Sequence, residues 1–164
     1  MIQVRLMRKE DCKAIAEIER NCFSCPWSEQ SFLDALEKKD IFYLVAENTV
    51  KEREVMLLGY VGVWQSFEEA DITNVAVVPE ERGKGIGFLL LENMKKEAVH
   101  RKIAALALEV RASNQAAIRL YKKSGFVVEG IRHGYYQKPK EDALIMWNRS
   151  LRGITIEKQK NYPV

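Results

Sequence analysis

The sequence predicts an α/β protein with a mixed, twisted sheet of six to seven strands flanked by about four helices. Short segments rich in β-branched and aromatic residues alternate with amphipathic segments of helical period. Near the middle, an apolar strand, an amphipathic helix and a second apolar strand follow one another, and such a unit has parallel strands. The 164 residues, 47% hydrophobic and 30% charged, suit one domain with a sizeable core.

The first elements are predicted to be one strand and two helices. Residues 2–6 alternate between apolar and polar side chains, as in a half-buried strand. Asp11 and Ser28 are each placed to cap a helix, and Pro26 separates the two helices. The apolar faces comprise Ala14, Ile15, Ile18 and Cys22 in the first helix and Phe32, Leu33 and Leu36 in the second.

A hairpin with a long loop is predicted next. Residues 41–47 and 55–64 are rich in β-branched and aromatic side chains, and the polar segment 48–54 separates them. We expect this polar segment to leave the sheet. The central strand, 70–78, follows the hairpin.

The second half adds two helices and three strands. An apolar strand, 103–110, follows the first of these helices, and Asn114 then opens the second. Gly125 stands where a left-handed C-cap is expected. Strands at 126–131 and 143–150 complete the set. The apolar positions are Leu89, Leu90, Met94 and Ala98 in one helix and Ala117, Ile118, Leu120 and Tyr121 in the other.

Charge and composition limit the function classes. The net charge of +3 is too weak to indicate nucleic-acid binding. The first eleven residues are rich in charge, and the longest apolar stretch, 56–64, is too short to cross a bilayer. We therefore expect a cytoplasmic protein that contacts neither nucleic acid nor membrane, with one domain at 1–150 and a polar tail at 151–164.

A glycine-rich, basic turn joins the central strand to the next helix. It runs from Asn74 to Gly87 as Asn-Val-Ala-Val-Val-Pro-Glu-Glu-Arg-Gly-Lys-Gly-Ile-Gly. N–H groups at a helix N-terminus lack intrahelical partners, and glycine lets an anion approach the main chain. The spacing fits neither a Walker loop, since Gly85 follows Lys84, nor a Rossmann fingerprint, since Phe88 replaces the third glycine. The turn predicts a pyrophosphate site, and a plain surface turn is the alternative.

Cys22 and Cys25 form a C-x-x-C pair of the kind found in redox and zinc sites. Zinc would need more ligands than this pair, and His100 and His133 are distant in sequence. The pair also follows a predicted helix instead of opening one, where thiolates are stabilised. We therefore expect no metal site and no redox role.

Glu109 and Tyr121 are candidate catalytic residues. Glu109 ends an otherwise apolar run in a strand predicted to be central, and burial raises the pKa of a carboxyl toward the range of a general base. The alternative is a strand-end glutamate paired with Arg111. Tyr121 lies in the following helix, which returns it toward Glu109, and a core tyrosine is its alternative role.

Two stretches resemble a known family. Residues 82–87 resemble the Arg/Gln-x-x-Gly-x-Gly/Ala signature of the GCN5-related N-acetyltransferases, and residues 108–126 are similar to their ribosomal-protein-alanine branch. The shorter similar segments are Val75-Ala76-Val77, Cys25-Pro26-Trp27-Ser28, Arg132-His133-Gly134-Tyr135-Tyr136 and Glu141-Asp142-Ala143. Together these matches cover most of residues 1–150.

The resemblance implies a role for each matched position. Glu109 matches the family's proton acceptor and Tyr121 its proton donor. Trp27 and Tyr135 match the acceptor side, with core aromatics as the alternative. The resemblance also implies that the pantetheine arm lies between the strands ending near Val78 and Val110. The residues that match acetyl-CoA contacts are Val75, Ala76, Val77, Arg82, Gly83, Lys84, Gly85, Ile86, Gly87, Phe88, Asn114 and Tyr121.

The implied reaction is acetyl transfer from acetyl-CoA to a protein N-terminal amine, without a metal. The leading acceptor is the N-terminal alanine of small-subunit ribosomal protein eighteen. Acetylation of other protein N-termini, of lysine or of a small amine is the alternative within enzymes. A CoA-binding regulator without turnover is the alternative outside them, although a regulator would need neither Glu109 nor Tyr121.

Overall fold

A computed structural model describes residues 1–51 and 54–151, and the predicted architecture is confirmed. Seven strands form one mixed sheet in the order β1-β2-β3-β4-β5-β7-β6. The strands are β1 Ile2–Leu6, β2 Ile41–Lys51, β3 Glu54–Ser66, β4 Glu69–Val77, β5 Ala105–Arg111, β6 Val127–Gln137 and β7 Lys140–Asn148. The α-helices are α1 Cys12–Cys22, α2 Glu29–Leu36, α3 Ile86–His100 and α4 Gln115–Lys123.

β4 and β5 are parallel over only a short distance. Their registered pairs join Glu69–Asp71 to Ala105–Ala107, and α3 provides the crossover that a parallel pair needs. Beyond Asp71 and Ala107 no pair joins the two strands in the described part of the chain. The two strands therefore separate toward their C-terminal ends, which opens the sheet between them.

The two faces of the sheet have separate hydrophobic cores. One contains α3 and α4 residues such as Leu90, Met94 and Ile118. The other contains α1 and α2 residues, among them Phe32, whose ring lies edge-on to Tyr43 at 5.6 Å. Burying a side chain such as Leu90 contributes about 1.5–3 kcal/mol, so both pairs of helices are held mainly by their apolar faces.

Three predicted helix boundaries are confirmed in detail. The Ser28 hydroxyl accepts a hydrogen bond from the Ser31 N–H at 3.2 Å. The Asn114 side-chain oxygen accepts one from the Ala117 N–H, also at 3.2 Å. Gly125 has a φ of +92°, the left-handed conformation expected after the end of α4. Each cap pairs a main-chain group that the helix itself leaves free.

The predicted capping role of Asp11 is wrong, although α1 does begin at the next residue. Its carboxylate makes no capping hydrogen bond to α1. Instead it accepts hydrogen bonds from the Arg8 N–H at 2.7 Å and from the Arg5 guanidinium at 2.7 Å. A guanidinium on the adjacent strand competes successfully with the helix N–H groups because it offers a charged donor.

The predicted long loop at 48–54 is also wrong. β2 continues to Lys51 and β3 begins at Glu54, while residues 52–53 lie outside the described part. Asn48 pairs with Ile2 on one side and with Met56 on the other. Main-chain pairing on both sides outweighs the polar character of these side chains, so the sheet extends through them.

The predicted tail, 151–164, lies outside the described residues except for Leu151. Leu151 itself is fully buried in the core beneath α3 and α4. Within 1–51 and 54–151, no helix is long and apolar enough to cross a membrane.

Candidate active site

A cavity of about 890 Å³ occupies the gap where β4 and β5 separate. Its lining draws on α1, β4, β5, α4, the loop between α1 and α2, and the end of β6. Of the residues predicted for the site, those that line it are Trp27, Val75, Glu109, Asn114, Tyr121 and Tyr135. The fold thus brings together side chains that are up to 108 positions apart, from Trp27 to Tyr135.

The cavity passes from one face of the sheet to the other. Leu108 and Val110 pack in the core beneath α3 and α4, so the alternation of β5 directs Glu109 toward the opposite face. Tyr121, on α4, belongs to the first face. Trp27 belongs to the second face, because it packs on Phe32 of α2 with ring centroids 5.6 Å apart. Glu109 and Tyr121 therefore approach the gap from opposite sides.

Glu109 is half-buried, with 25% of its side chain exposed. Its Oε1 lies 3.6 Å from the Nε of Arg132 on β6. The expectation of a buried carboxylate was therefore wrong, and so was Arg111 as its alternative partner. Arg111 pairs instead with Glu141 at 3.4 Å. The separation of β4 and β5 exposes Glu109 to the cavity, while Arg132 reaches it from β6, on the far side of β7.

Tyr121 lines the cavity and is also largely buried. Its ring lies edge-on to Phe126, with centroids 6.1 Å apart. Burial raises the pKa of Tyr121 well above its ordinary value, and the nearby Tyr136 adds to the shift. The phenol consequently keeps its proton throughout the neutral and mildly basic range.

The glycine-rich turn contains two glycines in the left-handed conformation. Gly83 and Gly85 have φ values of +77° and +83°, which favour glycine, and a Cβ at either would meet no atom within 4 Å. α3 begins at Ile86, so the turn leads directly to a helix N-terminus. A Cβ on Gly87 would lie 3.0 Å from Leu120, so this glycine allows α3 to approach α4.

The two cationic side chains of the turn are engaged within the chain. The Arg82 guanidinium donates a hydrogen bond to the Val77 carbonyl at 3.1 Å and lies 3.4 Å from the Cys22 sulfur. Lys84 forms an ion pair with Glu81 at 3.0 Å. Arg82 therefore braces the turn against the end of β4.

The end of β4 presents main-chain groups, not side chains, to the gap. Val75 and Val77 pack against the core beneath α3 and α4. Ala76 is buried on the other face with α1 and α2. Since β5 pairs with β4 only as far as Asp71, the N–H and C=O groups on this edge are not used by β5.

Two further residues that were predicted to contact acetyl-CoA lie on α3 and at the start of α4. Phe88, in the first turn of α3, has the Lys123 ammonium 4.5 Å from its ring centroid. Asn114 caps α4 through its side-chain oxygen and is exposed on the cavity wall. Its capping role fixes where α4 begins and therefore the position of Tyr121 two turns later.

Trp27 and Tyr135 form the rim of the cavity on the α1–α2 side. Trp27 is 39% exposed and Tyr135 is 47% exposed, so the alternative role as core aromatics is wrong for both. Tyr135 packs edge-on against Tyr136 at 5.1 Å, and the Arg132 guanidinium lies 5.6 Å from its ring.

Comparison with known proteins gives one consistent family. A family model described as "Acetyltransferase (GNAT) family" matches residues 12–126. The chain belongs to this family. A Bacillus subtilis (strain 168) protein is 42% identical over 145 residues, covering 88% of this chain and 93% of that protein. The ribosomal protein bS18-alanine N-acetyltransferase of Salmonella typhimurium is 34% identical over 148 residues, covering 89% and 96%.

Solved structures of the acetyltransferase family share the whole fold. The crystal structure of the ribosomal-protein-S18-alanine N-acetyltransferase from Escherichia coli superposes with a TM-score of 0.79 at 30% identity. The match covers 99% of each chain. The predicted resemblance to the ribosomal-protein-alanine branch is therefore confirmed over nearly the full length, beyond the segments that first indicated it.

The three cysteines of this acetyltransferase chain are free thiols. Cys22 is the last residue of α1 and lies 3.7 Å from the Val77 carbonyl, while Cys25 is exposed in the loop that follows. Within the described ranges, no three His, Cys, Asp or Glu side chains are grouped so as to hold a metal ion.

Sequence reasoning missed Glu19, which also lines the cavity. It lies on α1 and is only 2% exposed. A signal was present, because Glu19 is one turn after Ile15 and adjacent to Ile18, both on the apolar face of this amphipathic helix. A charged residue on a buried helix face is costly, so it indicates a specific partner or use.

Proposed function

We propose that this protein transfers the acetyl group of acetyl-CoA to the N-terminal amine of a ribosomal protein, with the alanine of bS18 as its leading acceptor. The observation that carries the proposal is the cavity through the sheet, with Glu109 and Tyr121 on its two sides. The relative from Salmonella typhimurium that is named for this reaction supports the choice of acceptor. Action in the cytoplasm, where ribosomal proteins are made, fits the same proposal.

Acetyl-CoA would bind along the α3 side of the gap. Its pyrophosphate would accept hydrogen bonds from the main chain at Gly83–Gly87, where glycine conformation and open space leave room for an anion. The amides of the pantetheine arm would pair with the edge of β4 that β5 leaves unpaired, as an added strand does. Members of the acetyltransferase family use acetyl-CoA as the acetyl donor, which supports this choice of cofactor.

The reaction joins the acceptor nitrogen to the acetyl carbon. The neutral amine attacks the thioester carbonyl, the new N–C bond forms, the C–S bond breaks, and the CoA thiolate leaves. Glu109, directly or through water, takes the proton that the amine nitrogen loses. Main-chain N–H groups of β4 near Val77 stabilise the negative charge that develops on the carbonyl oxygen.

Tyr121 acts on the leaving group from the α4 side. A phenol of ordinary pKa ~10 is already a weaker acid than a thiol near ~8.5, and the burial of Tyr121 raises its pKa further. Complete proton transfer to the thiolate is therefore unfavourable. A hydrogen bond from the phenol stabilises the thiolate as it leaves, and the thiolate takes its proton from solvent after release.

The test is a reaction of the protein with acetyl-CoA and a peptide that carries the bS18 N-terminus. We expect equimolar release of CoA and acetylated peptide, with tandem mass spectrometry locating the acetyl group on the α-amine. Failure to acetylate this or any other amine, while acetyl-CoA still binds, would favour the CoA-binding regulator instead.

A further inference from the structure

The α1–α2 face of the cavity contains a buried carboxylate that the proposed reaction does not use. Glu19 is 2% exposed and lines the cavity on the same face as Trp27. Among the residues that the structure describes, no Lys, Arg or His forms an ion pair with it. A buried charge without a counter-charge is unfavourable unless several donors hold it.

Three neutral donors from three elements converge on Glu19. The Tyr60 hydroxyl of β3 donates to its Oε2. The Trp27 N–H, from the loop between α1 and α2, donates to its Oε1 at 3.4 Å. The Asn74 Nδ2, on β4, lies 3.5 Å from the same oxygen. Glu19 thus connects the loop between α1 and α2 to β3 and β4.

The strand β4 is irregular at this point. Gly62 pairs with Asn74 and Val63 with Ile72, so Thr73 is an extra residue in a β-bulge. The bulge directs Asn74 toward α1, and its Oδ1 is buried without a partner in the described chain. Because a carboxylate only accepts hydrogen bonds, the contact with Glu19 requires the NH2 group of Asn74 to face it, and the Oδ1 is left unpaired at a cost of about 1–3 kcal/mol.

We propose that Glu19 is a positioning residue for the acceptor, acting through Trp27 and Asn74 to hold the loop at 23–28 against the bulge of β4. The inference rests on the proposed function, because it takes the α1–α2 side as the acceptor side. It adds to that function a group that touches neither acetyl-CoA nor the reacting atoms. Its loss should therefore weaken use of the acceptor and leave binding of acetyl-CoA intact.

Stability and function should respond to Glu19 in opposite directions. Burial raises the pKa of Glu19, so its charged form is less favourable in the folded chain than in the unfolded one. This carboxylate therefore destabilises the fold increasingly as the pH rises through its folded pKa. The nearby titratable groups are Tyr43 and Tyr60, and the pKa of Tyr43 is raised to about 12, so it stays neutral.

The first test is Glu19→Gln, which keeps the shape but removes the charge and one acceptor oxygen. We expect the KM for the acceptor peptide to rise about tenfold or more, as for loss of a hydrogen bond to a charged group. The Kd for acetyl-CoA should stay unchanged, and the melting temperature at neutral pH should not fall. Glu47→Gln is the control, because Glu47 is a buried carboxylate that does not line the cavity.

A second variant, Tyr60→Phe, removes one donor and leaves Glu19 in place. It should also raise the acceptor KM, by a smaller factor. If either variant at the Glu19 cluster does not fold, the other provides the result.

A measurement on the loop at 23–28 distinguishes a positioning role of Glu19 from a role in stability alone. In a Trp64→Phe, Trp147→Phe background, Trp27 is the remaining tryptophan. Acrylamide should quench the fluorescence of Trp27 more strongly when Glu19→Gln is added to this background. Unchanged quenching together with an unchanged acceptor KM in folded protein would overturn the proposal. The quenching result does not depend on which amine is acetylated, so failure of the proposed acceptor would be distinguished from failure of this inference.

Discussion

Replacing Gly85 by alanine tests whether the glycine-rich turn binds the cofactor through its main chain. Gly85 has a φ of +83°, and a Cβ there would meet no atom within 4 Å. Steric conflict with the protein is therefore absent, and the effect comes from the backbone conformation alone. An L-residue other than glycine in this region costs about 1–2 kcal/mol.

The effect on cofactor affinity should be larger than that strain. To relieve it, the turn would rotate one N–H group away from the pyrophosphate, and a hydrogen bond to a charged group contributes about 1.5–3 kcal/mol. Since ~1.4 kcal/mol is a factor of ten, we expect the Kd for acetyl-CoA to rise about 10- to 100-fold. Isothermal titration of the folded variant with acetyl-CoA measures this directly.

Gly134→Ala is the matched control for backbone strain. Gly134 has a φ of +64°, and a Cβ there meets only the flexible end of Lys140, at 3.4 Å. This variant should lose similar stability and keep the wild-type Kd. Wild-type affinity in folded Gly85→Ala, or equal weakening in both variants, would refute the proposed role of the turn.

Three other predictions concern individual side chains. Glu109→Gln should lower kcat by ~10²-fold or more with the acetyl-CoA Kd unchanged, and full kcat in steady-state assays would remove Glu109 as the base. Tyr121→Phe should lower kcat less. Since the pKa of Tyr121 is raised, its pH–rate profile below pH ~10 should keep the wild-type shape. Cys22→Ser and Cys25→Ser should each retain most activity, and loss of turnover in either would revive a thiol role.

The parts of the fold that the sequence predicted depend on local signals. The β4-α3-β5 order required parallel strands, and the caps at Ser28 and Asn114 depend on side chains next to the helix they begin. The glycines of the turn are a local signal as well, because glycine is the residue that most readily adopts a positive φ. These features were predictable because residues near in sequence determine them.

The features that sequence reasoning missed depend on distant residues. Arg132, the partner of Glu109, lies two strands away in the sheet, and the two side chains meet because β7 pairs with both β5 and β6. The contacts of Glu19 join α1 to β3 and β4. Likewise, the sheet extends through Asn48 because strands on both sides pair with it. No local pattern encodes these neighbours.

The central claim is that an α-amine of a protein is the acceptor. At pH 7, deprotonating an α-amine of pKa ~7.8 costs about 1.1 kcal/mol, while a lysine of pKa ~10.4 costs about 4.6 kcal/mol. The lysine thus has roughly 400-fold less of the neutral, attacking form. A half-buried carboxylate such as Glu109 therefore suits the α-amine better.

The most direct measurement compares kcat/KM for two peptides of one sequence. One begins with a free alanine and has its lysine blocked, and the other has a blocked N-terminus and a free internal lysine. The account predicts that the first is preferred by about two orders of magnitude or more, given the difference in neutral amine. Equal values, or faster acetylation of the lysine, would contradict it.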